Sequence, residues 1–178
     1  ESVLEDFGAD AIKCGMLANA AIVEAVAAAL GARRVARLVV DPVMTAKSGD
    51  SLLEQDAVRA LMTRLLPLAL VVTPNLPEAE ALAGMPVSNR AEMEEAARRV
   101  HALGARHVLV KGGHLKGDAV DLLYNGREFT AFQASRIESD NTHGTGCTFS
   151  AAITAGLAQG RPLGEAVRDA KAYVTRAI

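Results

Sequence analysis

The chain has 178 residues, half of them hydrophobic and 22% charged, with a formal net charge of −2. That composition suits one globular domain with a sizeable core and gives no reason to expect nucleic acid or an anionic membrane as partner. Aromatic residues make up 3% with no tryptophan, which argues against base-stacking platforms, and no apolar run reaches membrane-spanning length.

Ser2–Phe7 reads as helical. Ala9–Leu17 reads as a short buried strand that ends at Gly15. Asn19 then fits the N-cap of a helix over Ala20–Leu30, which Gly31 should end. Leu38-Val39-Val40 is a second apolar strand, stopped by Asp41-Pro42. Asp56–Leu66 carries Ala57, Ala60, Leu61 and Leu65 at helical spacing. Leu70-Val71-Val72 is a third strand, halted by Thr73-Pro74-Asn75, and Pro77–Leu82 is a short helix ended at Gly84.

Glu92–Leu103 is the clearest helix. Met93, Ala96, Val100 and Leu103 share a face, and Glu94 with Arg98 and Glu95 with Arg99 make supportive i,i+4 pairs. His107–Val110 is a fourth strand, followed by Lys111-Gly112-Gly113-His114. Ala119–Tyr124 and Glu128–Phe132 form a hairpin joined through Asn125-Gly126. Helices after Gly146 and over Leu163–Ile178 finish the chain, and ends that open and close in helices without stop signals read as a piece of a longer protein. Short, continuously apolar strands alternating with helices predict an α/β fold. Its sheet is mostly parallel, covered by helices on both faces, with an antiparallel hairpin at one edge.

The chemistry concentrates in Asn141-Thr142-His143-Gly144-Thr145-Gly146-Cys147-Thr148, which runs into the apolar, helix-favouring segment Ala151–Ala158. Gly144 and Gly146 permit a tight turn with no side chain between backbone and ligand. The amides from Gly144 to Cys147 would open a helix, and unpaired amides at the positive end of a helix dipole form an anion site. Cys147 sits at that end, where a thiolate is favoured. The other reading is a glycine turn ahead of a core helix with an inert cysteine. Neither G-x-x-x-x-G-K-[ST] nor a strand followed by G-x-G-x-x-G is present, so the turn is neither a P-loop nor a dinucleotide fingerprint.

Ligands of open α/β sheets bind beyond the carboxyl ends of the strands. There stand Asp41 after the second strand, Thr73, Asn75 and Glu78 after the third, and Lys111 after the fourth. Two carboxylates and a lysine on that edge point to a polyphosphate–magnesium site, because magnesium takes carboxylate, water and phosphate oxygens together. Lys111 would act as a point charge on the phosphates. Cys14 and Cys147 make no disulfide framework, and a reducing cytoplasm is the simpler setting.

The segment Asn141–Cys147 resembles the signature of the hydroxymethylpyrimidine/phosphomethylpyrimidine kinases of thiamine biosynthesis, within the ribokinase-like superfamily. Four more stretches resemble that family's motifs in its order: Lys13-Cys14-Gly15-Met16-Leu17, Val39–Met44, Thr73–Ala79 and Val110–His114. The resemblance implies a ribokinase-like three-layer fold and ATP- and Mg2+-dependent phosphorylation of a pyrimidine's hydroxymethyl group, then of the monophosphate. It places Gly144, Thr145, Gly146 and Cys147 at an anion hole, with Cys147 where most of the superfamily has an aspartate base. Asp41 and Glu78 would lie near magnesium, Thr73, Asn75, Lys111 and Gly113 would face the nucleotide, and Met16 would touch the pyrimidine. A homodimer is implied too. The family's N-terminal part, with a Gly/Ser-rich loop and a glutamine-bearing segment, has no match here, so the chain should hold the nucleotide half better than the pyrimidine half.

Three alternatives stay open: a pyridoxal kinase of the same superfamily, a non-catalytic nucleotide-binding module, and a Cys–His acyl transferase using His143 with Cys147. His114, His143 and Cys147 match no zinc spacing. His101 reads as a partly exposed helix residue, His107 as a strand edge and Cys14 as a core cysteine.

Overall fold

The structure, a computed structural model, describes residues 2–44, 53–113, 119–135, 137 and 143–178. Six strands form one sheet in chain order: β1 (Ile12–Cys14), β2 (Leu38–Val40), β3 (Val71–Val72), β4 (His107–Val110), β5 (Ala119–Tyr124) and β6 (Phe129–Ala134). The first four run parallel, and β5 and β6 are antiparallel. The helices are α1 (Ser2–Asp6), α2 (Ala20–Ala32), α3 (Gln55–Ala60), α4 (Leu76–Ala83), α5 (Arg90–His101), α6 (Thr145–Ala158) and α7 (Leu163–Ala177). Among the described residues no helix is long and apolar enough to cross a membrane.

Because side chains alternate across a strand, each strand supplies both faces of the sheet. Val40, Val72, Val108 and Val110 pack with Val23, Ala27 and Leu30 of α2, Ala79 and Leu82 of α4, and Met93, Ala96 and Val100 of α5. Val39, Val71 and Leu109 face the other way, against Phe149, Ile153 and Leu157 of α6 and Ala166, Val167 and Ala170 of α7. Phe149, Ile153 and Leu157 recur every fourth residue, so burial of that stripe sets how α6 lies on the sheet. Each such side chain stabilises by about 1.5–3 kcal/mol when fully buried.

Local signals account for most boundaries. The side chains of Asn19 and Asn89 accept the amides of Ile22 and Glu92, both at 3.0 Å, and start α2 and α5. Gly84 ends α4 in the left-handed region at φ +63°.

Several boundaries shift by one or two residues, among them α5 to Arg90–His101 and β6 to Phe129–Ala134, and four differences have a physical reason. Gly31 lies inside α2, whose C-cap is Arg33, with Arg34 taking the positive φ of 50°. The strand expected over Ala9–Leu17 narrows to Ile12–Cys14, where the partner β2 is only three residues long. The run expected to be one α-helix to Leu66 is α-helical only to Ala60, then a π-turn over Leu61–Leu65 and a 3-10 turn over Leu66–Leu68. Leu61, Leu65 and Leu66 are all buried, and the wider turn directs adjacent leucines inward together, with Pro67 forcing the exit. The hairpin connection spans residues 125–128, and Asn125 Oδ1 accepts the amides of Arg127 and Glu128 at 2.9 and 2.8 Å. An Asx turn by that side chain replaces the expected two-residue turn.

Candidate active site

Backbone pairing continues one step past the parallel strands. The amide of Asp41 donates to the Cys14 carbonyl (2.8 Å), that of Thr73 to Val40 (2.9 Å), and that of Lys111 to Pro74 (2.8 Å). The first polar residue after each strand is therefore held in line with its neighbours.

Asp41 is the centre of the group and is 1% exposed. Its Oδ1 accepts from Lys111 Nζ at 2.9 Å and Thr73 Oγ1 at 3.1 Å. Its Oδ2 accepts from Ser150 Oγ at 2.9 Å, with Lys13 Nζ at 3.9 Å. Each carboxylate oxygen thus has one hydroxyl and one ammonium beside it. Taking a carboxylate out of water is costly unless it is paired and hydrogen-bonded, and Asp41 is both.

Lys111 ties three features together. Its ammonium is 4.0 Å from Glu78 Oε2, and a Cβ placed on Gly146 would lie 3.3 Å from Nζ. The lysine therefore reaches from β4 to the glycine turn, where a side chain at 146 would crowd its ammonium. Gly144 takes φ +79° and caps α6, and the first helical bond runs from the Thr148 amide to the Gly144 carbonyl at 2.8 Å. The amides of Gly146 and Cys147 precede that bond and point out of the helix end, beside the lysine. Cys147 is exposed there, whereas Cys14 is buried.

Glu78 has a structural duty as well. Asn75 Oδ1 accepts the Glu78 amide at 2.9 Å, and Glu78 Oε2 accepts the Asn75 amide at 2.7 Å, a reciprocal capping box that starts α4. Part of the Asn75–Glu78 sequence signal is thus helix capping. Burial pushes the Glu78 carboxyl up to about 6, against the pull of Lys111 and the backbone amides of Asn75 and Met44.

Of the residues singled out from sequence, Asp41, Thr73, Glu78, Lys111 and Gly146 come together. Asn75 joins them through its capping box, and Gly144, Thr145 and Cys147 through the turn. Met16, on the loop after β1, is 54% exposed, and no described contact carries it into the group. Gly113 is exposed and follows the buried Gly112 after β4. Asn141, Thr142 and His114 lie outside the described residues.

Sequence reasoning gave no role to Ser150, Lys13 or Asp121. Ser150 had one available signal: it directly follows the sheet-facing Phe149 in an otherwise alanine-rich helix. Asp121 is a lone carboxylate in an apolar strand. Its Oδ1 accepts the Gly112 amide at 3.0 Å and its Oδ2 accepts from Lys171 Nζ at 2.7 Å, so it anchors the loop after Lys111 to α7. Burial pushes the Asp121 carboxyl up, and Lys171 and the Gly112 amide oppose this. Gly112 itself has no space for a side chain: a Cβ would lie 2.0 Å from the Val120 carbonyl oxygen.

A helix end with outward-facing amides, a lysine against it and two buried carboxylates behind it are an arrangement suited to phosphoryl chemistry. Comparison with known proteins agrees. The chain is 54% identical to the thiamine biosynthesis bifunctional protein ThiED of Geobacter sulfurreducens, over 100% of this chain and 36% of that protein. It is 50% identical to the hydroxymethylpyrimidine/phosphomethylpyrimidine kinase of Streptomyces coelicolor, over 99% of this chain and 65% of that enzyme. The ADP complex of Bacillus subtilis pyridoxal kinase superposes with a TM-score of 0.90 at 42% identity, covering 96% of this chain and 65% of that one. The chain thus spans about a third of the first protein and just under two thirds of the other two. The model of the phosphomethylpyrimidine kinase family matches residues 1–178, and the chain belongs to that family.

Proposed function

We propose that the protein is an ATP-dependent kinase that phosphorylates the hydroxymethyl group of 4-amino-5-hydroxymethyl-2-methylpyrimidine and then the resulting monophosphate. The observation that carries this reading is the Lys111 ammonium, set between Asp41 at 2.9 Å, Glu78 at 4.0 Å and the Gly146 backbone. In this reading the amides of Gly146 and Cys147 hold the oxygens of the transferring phosphoryl group, and Lys111 neutralises the charge that grows there. Cys147 takes the hydroxymethyl proton as the alcohol oxygen bonds to the γ-phosphorus and the bond to the leaving ADP oxygen breaks. Thr73, Asn75 and Gly113 face the nucleotide, and Met16 faces the pyrimidine.

The donor set fits Mg2+, which binds through one or two carboxylates together with phosphate and water oxygens. Asp41 and Glu78 would hold it, and the ion supplies charge neutralisation for the nucleotide phosphates. The protein acts in the cytoplasm as a homodimer, a state that light scattering on the complete protein would test.

The decisive experiment incubates the complete protein with ATP, magnesium and each acceptor, and follows the phosphorus resonances of the products. Turnover of the pyrimidine alcohol and its monophosphate supports the reading. The likeness to a pyridoxal kinase structure favours a second acceptor, pyridoxal, and faster turnover of pyridoxal than of the pyrimidine would move the assignment there.

A further inference from the structure

Lys13 is the one basic residue of the group whose hydrogen bonds are unspent. It lies on β1 opposite Val39, so its side chain is on the α6 face of the sheet, the face to which Asp41 and Ser150 also turn. Its side chain is only 22% exposed, yet its nearest anionic atom, Asp41 Oδ2, is 3.9 Å away, beyond hydrogen-bond reach. That oxygen already accepts from Ser150, and Asp41 Oδ1 already accepts from Lys111. No acceptor within hydrogen-bond distance of Lys13 is found among the described residues. A second observation fixes where the ammonium lies: a Cβ on Gly15 would come within 3.0 Å of Lys13 Nζ, so the side chain folds back over the end of its own strand. Gly15 leads directly into Met16, on the opposite side of Asp41 from Lys111 in the sheet order. A lysine drawn mostly out of water with three free donors is a waiting site for phosphate-type oxygens.

We propose that Lys13 is a second phosphate-binding cation of the site, standing across Asp41 from Lys111 and serving phosphate oxygens on the acceptor's side. The inference rests on the kinase reading and names the charge of the acceptor it takes. Phosphate oxygens can reach Lys13 from an acceptor that already bears a phosphate or from the phosphoryl group in transfer. Its place beside Gly15 and Met16 favours the first.

The test uses the complete protein and its Lys13→Met and Lys13→Arg variants, assayed with ATP and magnesium on the pyrimidine alcohol and on its monophosphate. Loss of one charged hydrogen-bond partner should lower kcat/KM for the monophosphate about ten- to a hundredfold, chiefly through KM, and should lower it less for the alcohol, which feels the change only through Asp41. Lys13→Arg should recover most of the loss, since it restores the cation. An equal fall in kcat with both acceptors would overturn the acceptor-side role. Unchanged kinetics with both acceptors would overturn it, as would a loss that only follows a lower melting temperature and vanishes well below it. Calorimetric titration with pyrophosphate separates this inference from the kinase reading. Weaker pyrophosphate binding in Lys13→Met than in the unmodified protein supports the cation even if the pyrimidine is not the acceptor, and equal binding refutes it. Should Lys13→Met fail to fold, Lys13→Gln carries the same comparisons.

Discussion

Glu78→Gln separates the cost of burying a carboxylate from its use. The side chain is 4% exposed, and burial lifts its pKa from the ordinary 4.5 to about 6. The folded state therefore holds the proton more tightly than the unfolded chain. The stability this contributes is fully present below about pH 4.5 and is lost as pH rises through about 6. A shift of this size is worth roughly 2 kcal/mol, at 1.36 kcal/mol per unit. Glutamine mimics the protonated form, and its amide oxygen can still accept the Asn75 amide in the capping box. Glu78→Gln should match the unmodified protein near pH 4.5 and exceed it by about 2 kcal/mol at pH 7.5, a gain of roughly 4–8 °C in Tm for a chain of this length. Thermal unfolding monitored by circular dichroism across that pH range, without magnesium, gives both curves. A gap of the same size at acid and neutral pH would refute burial of the charge as its cause. In the kinase assay the same variant should need more magnesium for half-maximal rate, because it removes charge beside the ion.

Lys111→Ala should lower kcat more than it raises KM for the alcohol, as steady-state kinetics will show; equal catalysis in the variant would remove Lys111 from the reaction. Cys147→Ala should lose about 10²–10⁴ in kcat while still binding ATP by calorimetry, and Cys147→Asp should keep more activity, since a carboxylate also accepts a proton. Iodoacetamide should label the exposed Cys147 faster than the buried Cys14, with magnesium-ATP protecting it, a contrast that mass spectrometry resolves. Asp121→Asn leaves the Lys171 ammonium, 11% exposed, without its countercharge, and should cost about 3–5 kcal/mol in a denaturant titration.

The legible parts of this chain are those where one short stretch carries its own instruction. Leu38-Val39-Val40 is apolar on both faces and stops at Asp41-Pro42, and such a run has few outcomes other than a buried parallel strand. Asp41, Thr73, Glu78 and Lys111 could be grouped because parallel strands deliver all their carboxyl ends to one edge. The π-turn at Leu61 was illegible because three neighbouring leucines choose it for the sake of a core assembled from distant elements. Gly31 was misread as a stop because α2 packs well enough to absorb a glycine, at a cost of about 1 kcal/mol relative to alanine. Ser150 stayed hidden because its duty lies with Asp41, 109 residues away, and its place after Phe149 hinted at burial but not at that partner. Lys13 stood inside a stretch resembling a family motif, and nothing local gave it a role of its own. The capping box at Asn75 and Glu78 could have been read in advance, since N-x-x-E ahead of an apolar run is a helix-start signature.

The strand order has a consequence for synthesis on the ribosome. Each strand docks beside the one that emerged just before it, so the sheet can lengthen as the chain is made, and α2, α4 and α5 cover one face on the way. The opposite face is treated differently. Among the described residues, Val39, Val71 and Leu109 take their helical cover from α6 and α7, which follow the described strands in the chain. Until α6 and α7 are made, those three side chains lack this helical cover, and apolar surface of that kind aggregates or recruits chaperones. Of these helices α6 also brings Gly146 and Ser150 to Lys111 and Asp41, so the event that covers this face also completes the polar group at the strand ends. A translation product that stops before Thr145 holds both charged residues and neither the helix end nor the seal.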